Sequence, residues 1–345
     1  MIPEPTGQAA PFYSPELLSA RHSTAPGRAA FSLSRRETRP SEELLHPLPC
    51  VGGFGGPGIG GEKRYGVRFS GRGGRPSVSG ACLFAATAWL LQPFLSPQGL
   101  LEGVRPWDRE GTRPGEEIVG PDGSPMVWVP AGEFNMGWER GCYDEKPVHR
   151  VRITKGFWLG KVAVTNAQYR RYCLETGAKF PEGSAQGDDH PVVDLSWDDA
   201  VAYCRHYGLS LPTEAQWEYA ARGPDGCIYP WGNEWDPTKC CWEGNKGPGG
   251  ETYPVGSFPQ GASWCGALDM AGNSWDWCQD WYSPTYYASA PRADPPGPST
   301  GHCRVLRGGS WHFVVPRHLR SSYRHFCGPT ARDSYVYGFR CARTF

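Results

Sequence analysis

Residues 304–345 read RVLRGGSWHFVVPRHLRSSYRHFCGPTARDSYVYGFRCARTF, and the fold turns on how this stretch is bracketed. It opens on Arg307-Gly308-Gly309-Ser310-Trp311 and closes on Gly338-Phe339-Arg340. The paired glycines permit a tight backbone turn, Trp311 is a ring to pack, and Phe339 can anchor a closing strand. Between the brackets His, Phe, Tyr, Cys, Val, Asp and Ser keep neither a helical nor a strand period. From His312 onward there is no Lys, Glu, Gln, Met or Trp, although the whole chain holds 15 Trp. Arg320, Arg324 and Arg340 are expected to pair with carboxylates supplied from upstream.

Working outward, the preceding sequence carries strong local signals. Residues 126–129 (MVWV), ahead of Pro130-Ala131-Gly132, read as a strand running into a turn, with 134–137 (FNMG) as its partner. Residues 149–155 alternate as a half-buried strand. Thr165 with Gln168, Ser196 with Asp199, and Thr213 with Gln216 each mark a helix start. In the second of these helices Ala200, Tyr203 and Cys204 are expected to face inward. After Arg222 the chain becomes loops punctuated by Trp, Gly and Pro.

The composition changes near residue 115. Residues 1–115 are rich in Gly, Pro, Ser and Arg, with little sustained periodicity, and are expected to be poorly ordered. Residues 83–95 within them read as a short helix. The glycines there form no phosphate loop, because no strand precedes them and no Lys-Ser/Thr follows. Residues 116–345 are expected to form one domain. With 35 Lys+Arg against 35 Asp+Glu, no global field draws the chain to nucleic acid. No apolar run reaches membrane-helix length, and no signal peptide is expected. Thirteen cysteines without a CxxC pair or zinc-finger spacing read mostly as scattered buried thiols.

The segments MVWVPAGEFNMG (126–137), VTNAQYRRYC (164–173), HPVVDLSWDDAVAYC (190–204), LSLPTEAQWEYAARG (209–223), YPWGN (229–233), PVGSFP (254–259), LDMAGNSWDWCQDW (268–281) and RVLRGGSW…GFRCAR (304–343) occur in one order. Together they resemble the formylglycine-generating enzyme (sulfatase-modifying factor) family. The resemblance implies an α+β, loop-rich, C-type-lectin-like fold. It also implies a calcium site at Asp269, Gly272, Ser274 and Asp276, whose hard oxygen donors suit that ion. The competing reading of those residues is a structural turn with Asp276 paired to an arginine. Some family members join the cysteines of the AYC helix and the GFRC tail. Here these are Cys204 and Cys341, either a disulfide or two thiols in contact. The family's second calcium site lacks its usual Asn, since Lys239-Cys240-Cys241-Trp242 stands in that region.

The family's oxidase chemistry uses two cysteines shortly after RGGS, in a segment like CHxSYC, to bind copper. Between Cys303 and Cys327 this chain has none; the segment reads HFVVPRH, 312–318. His312 and His318 alone make a weak metal pair. The tail instead resembles the variable proteins of diversity-generating retroelements, whose C-terminal segment is rewritten by an adenine-mutagenic reverse transcriptase. Template codons AAY become NNY, a set that cannot encode Lys, Glu, Gln, Met or Trp. RSSYR (320–324), Pro329 and YGFR (337–340) fill that pattern's constant slots. The resemblance implies a non-enzymatic ligand-binding protein needing no cofactor beyond a structural calcium, with a variable region at about 304–345. Its varied positions would be His312, Phe313, Val314, His318, Tyr323, His325, Phe326, Cys327, Gly328, Asp333, Ser334 and Tyr335. A protein partner, a monomeric state and a bacterial or phage origin follow as expectations. The alternatives are a sulfatase-modifying-type oxidase with altered catalytic residues, and an inert lectin-like adaptor.

Overall fold

The computed structural model describes residues 105–184, 186–247, 249–332 and 336–345. The helix expected at 83–95, most of the Gly/Pro/Arg-rich region, and Asp333, Ser334 and Tyr335 lie outside the described residues.

Among the described residues ten strands and three α-helices build an α+β domain. The first sheet joins β1 (Glu117–Val119), β2 (Pro125–Val129), β5 (Phe157–Gly160) and β10 (Ala342–Thr344), all antiparallel. A second pairs β3 (Gly132–Met136) with β4 (His149–Ile153). A third runs in the order β8 (Arg324–Cys327), β7 (Arg304–Arg307), β6 (Trp275–Trp281) and β9 (Tyr337–Gly338). In that sheet only the β6–β9 pairing is parallel. The expectation that 134–137 pairs with 126–129 is corrected here. β2 is flanked by β1 and β5, and β3 turns away to meet β4. The physical reason is visible in β2, where Met126 to Val129 are all buried. Such a strand is central, and the preceding β1 and the more distant β5 occupy both its edges.

α1 (Asn166–Thr176), α2 (Trp197–His206) and α3 (Glu214–Arg222) start where their capping boxes predict, at Thr165, Ser196 and Thr213. Each cap oxygen accepts a backbone N–H from the third helical residue, and that residue's side chain reaches back to the cap N–H. Ala200, Tyr203 and Cys204 of α2 are buried as expected. Tyr203 stacks on Tyr169 at 5.7 Å and meets Phe339 edge-on at 5.2 Å, which ties α1, α2 and the closing tail into one core. Every α3 residue except Gln216 is buried, so this helix lies inside the domain.

Cys204 and Cys341 meet in the same core with their sulfurs 3.6 Å apart, as free thiols. The Arg304 guanidinium lies between two indoles, 3.6 Å from the centroid of Trp197 and 3.4 Å from that of Trp281. It thereby fastens α2 to the third sheet. Among the described residues no helix is long and apolar enough to cross a membrane.

Candidate binding surface and its buried frame

The tail divides into two sets of side chains. One points inward and carries charge. Arg307 is fully buried, and its guanidinium donates to Glu218 and to the carbonyls of Ser321, Ser322 and Tyr323 at 2.8–3.0 Å. Arg324 grips Glu214 through two bonds of 2.7 and 2.9 Å. Arg320 donates to Glu145 at 2.6 Å, and Ser322 Oγ donates to the other oxygen of that carboxylate at 2.7 Å. Glu214, Glu218 and Arg222 recur every fourth residue and share one face of α3. Burial alone would raise the Glu218 carboxyl, but Arg307 and Arg222 hold it below the ordinary range. Asp280, buried beside Glu214, is pushed up to about 7. The Gly308 and Gly309 turn has φ of 96° and 77°. A Cβ on Gly309 would run into Leu319, so the loop can close only over glycine.

The other set is aromatic and faces outward. Its floor is Trp275 of β6, the strand that pairs with β7 at the start of the tail. His325 stacks on that indole at 4.9 Å, Phe313 meets it edge-on at 5.4 Å, and Tyr323 lies at 6.2 Å. His318 bridges Phe313 and Tyr323, 4.8 Å from each. Burial, then Arg317 and Arg320, pushes His318 down to about 4, and burial alone does the same to His325. Both imidazoles are therefore neutral near pH 7. Burial also pushes Tyr323 up to about 12. His312 and Val314 are exposed beside this cluster.

The nine described positions of the expected variable set are exposed or half-buried; none is buried. Of the expected constant positions, Arg320, Ser321, Ser322, Arg324, Gly338, Phe339 and Arg340 are buried, whereas Pro329, Tyr337 and, within RSSYR, Tyr323 are half-buried. The structure brings Phe313, His318, Tyr323 and His325 together. Phe326 touches only its chain neighbour His325 among them, at 6.0 Å between ring centroids. β8 alternates, so Phe326 shares the face of Arg324 and stacks on Tyr282 at 3.9 Å. Cys327 lies opposite Arg304 in the β7–β8 register, and Gly328 follows in the loop beyond it. Sequence reasoning missed Trp275 as the floor and Glu145, Glu214 and Glu218 as the frame. The fourfold spacing of charged residues in α3 was the available signal for the last two.

The expected calcium ligands lie around a turn with left-handed Asp269, Gly272 and Asn273. Asp276 Oδ2 accepts from Arg340 Nε at 2.6 Å and from Trp217 Nε1 at 2.9 Å, while Oδ1 is buried with no hydrogen-bond partner. Asp269 accepts from the Gly256 N–H at 2.7 Å, and burial raises its carboxyl above the ordinary range. Arg340 pairs with Asp276 and donates to the Asp269 backbone carbonyl at 3.3 Å, so the Asp269 carboxylate makes no ion pair among the described residues. A buried carboxylate oxygen without a partner is of the kind a hard divalent cation takes. Among the described residues no three His, Cys, Asp or Glu side chains gather as a metal site.

In a CHxSYC segment the two cysteines stand five residues apart. At that spacing in this loop Phe313 and His318 are in ring contact, with no thiol present. Fold, motifs and loop together define a sulfatase-modifying-factor-type domain. The chain belongs to the family of sulfatase-modifying factor enzyme 1-like domains, which its residues 115–345 match. The formylglycine-generating enzyme of Streptomyces coelicolor is 38% identical over 283 residues, covering 63% of this chain and 88% of that enzyme. Among solved structures, PvdO from Pseudomonas aeruginosa is 27% identical with a TM-score of 0.59, over 68% of this chain and 100% of PvdO. Treponema denticola variable protein 1 is 22% identical with a TM-score of 0.55, over 64% and 94% of the two chains. That last likeness is one of fold.

Proposed function

We propose that this protein is a non-enzymatic ligand-binding member of its family, whose C-terminal segment is diversified by adenine-directed mutagenic reverse transcription. The partition of the tail carries the reading. The described side chains expected to vary reach the surface, while most of those expected to stay constant are buried, with Arg320, Arg324 and Arg340 held in ion pairs. A segment built this way changes its surface without disturbing its support. The absence of Lys, Glu, Gln, Met and Trp from His312 onward supports the same reading. The partner is a protein, met by rigid aromatic rings that give large contact area for few rotatable bonds. The flanking DNA tests this. A nearby repeat nearly identical to the codons for 304–345, differing at adenines, together with a reverse-transcriptase gene, is expected; absence of both sinks the proposal.

The likeness to formylglycine-generating enzymes favours a second reading, an oxidase with altered catalytic residues. Soft thiolates are what Cu(I) chemistry requires, and Phe313 and His318 supply none. Incubation with a sulfatase-motif peptide, copper and oxygen decides between the two. Aldehyde formation that His318→Ala abolishes would establish the oxidase.

In either case Asp269 and Asp276, with the carbonyls of Gly272 and Ser274, would hold a calcium ion. Its role would be structural: it would supply a counter-ion to the Asp269 carboxylate, which makes no ion pair among the described residues, and a partner to Asp276 Oδ1. Chelation is expected to lower the melting temperature of the wild type and to leave Asp276→Asn unchanged.

A further inference from the structure

The binding role proposed above does not name the partner's chemistry, but the charges around the surface bear on it. From Arg304 to Arg332 the chain contains no Asp or Glu. Arg307, Arg320 and Arg324 are turned inward and neutralised by Glu218, Glu145 and Glu214. Arg317 is not. It is exposed on the rim of the aromatic cluster, and among the described residues it makes no ion pair. Its Nε meets His318 Nε2 at 3.3 Å, which leaves both terminal nitrogens of the guanidinium without a hydrogen bond among those residues. Beside it Val314 is 65% exposed and Phe313 half-buried. Other cations nearby are already balanced: Lys246, over the Trp311 ring, pairs with Glu243, and Arg332 pairs with Asp199.

We propose that the partner is a protein presenting an acidic segment, in which a carboxylate pairs with Arg317 and an adjacent aliphatic or aromatic side chain covers Val314 and Phe313. The inference rests on the binding role proposed above. In water a lone guanidinium costs nothing. Once a partner covers the neighbouring apolar surface, that cation loses hydration, and a neutral or basic partner would leave it unpaired. The two free terminal nitrogens present the fork that a carboxylate accepts from two sides. The neutral imidazoles of His318 and His325 add no further cation near pH 7 and extend the apolar contact.

A displayed random-peptide library, selected on the full chain, tests the proposal. Enriched peptides are expected to place Asp or Glu next to an apolar residue. Their association with Arg317→Glu is expected to slow by roughly tenfold or more at low salt, with the difference shrinking as salt rises. Enriched peptides without acidic residues, or binding indifferent to Arg317→Glu, overturn the acidic-partner inference while leaving the binding role intact. Peptides that bind Phe313→Ser/Val314→Ser as well as the wild type, or no enrichment at all, overturn the binding surface itself. Matching circular dichroism and thermal melts of the variants guard against misfolding as the cause.

Discussion

The floor of the tail and its outer face share one stretch of chain and obey opposite physics. Beneath it, Arg307, Arg320 and Arg324 are fixed by ion pairs that cannot be altered singly without burying a lone charge. Above it, Phe313, Tyr323 and His325 lean on one indole, with His318 bridging the first two, through contacts that other side chains can replace. The difference separates what gives the loop its shape from what gives it an identity. Charge specifies geometry because its partners are few; aromatic packing tolerates substitution because any flat or apolar group is partly satisfied there.

The sharpest way to break the comparison is Glu218→Gln. It leaves the buried Arg307 short of its nearest counter-ion and is expected to cost about 3–5 kcal/mol, read from the midpoint of chemical denaturation. A loss below about 1 kcal/mol would mean that the frame is not held by charge.

Next comes the response to pH, which differs in sign between the two layers. Asp280 has its folded pKa raised from 3.8 to about 7. Between those values the native state keeps a proton that the unfolded chain has released. This contribution is full below about pH 4 and is lost as pH rises through 7, on the order of 1 kcal/mol per unit. His318 and His325 run the other way. Their folded values fall from 6.5 to about 4, so their contribution is full above 6.5 and is lost as pH falls through 4. Asp280→Asn is expected to flatten the loss toward neutral pH, and His318→Asn/His325→Asn to flatten the loss toward acid. Melting curves across pH 4–8 read both. Asp280→Asn leaving the neutral side unchanged would remove Asp280 from the account.

A smaller effect is expected at Phe326, which lies on the framed face of β8. Phe326→Ser should cost about 1 kcal/mol through its lost stack on Tyr282, while peptide binding to the outer face stays as in the wild type. Smallest of all, His312→Ser and Val314→Ser are each expected to stay within about 0.5 kcal/mol of the wild type in stability. If Val314→Ser destabilised as strongly as Phe326→Ser, the division between the layers would fail.

The parts of the fold legible in the sequence were those set by neighbours in the chain. Thr165, Ser196 and Thr213 announce their helices because a cap and its partner lie three residues apart. Gly308 and Gly309 announce a turn for the same local reason. Pairing across the chain was less legible. The partner of β3 was misread because the strand nearest in sequence was already bordered on both sides. That Arg320, Arg324 and Arg340 needed carboxylates was legible; which carboxylates was not, since Glu145 lies 175 residues from Arg320 and Glu214 lies 110 from Arg324. Phe326 was grouped with the outward set by the pattern of the variable-protein resemblance, and the two-residue alternation of β8 turns it to the face of Arg324.

The return of the chain after the tail has a consequence for synthesis. β10 follows the whole loop between the RGGSW and GFR brackets and then completes the first sheet by pairing with β5, which was made nearly two hundred residues earlier. The edge of Phe157 to Gly160 therefore stays open until the tail has been translated and has folded. Under the diversification proposed above, each new tail sequence would be inspected by the domain that carries it. A segment unable to settle on the arginine frame would not deliver β10, and would leave the β5 edge open to aggregation.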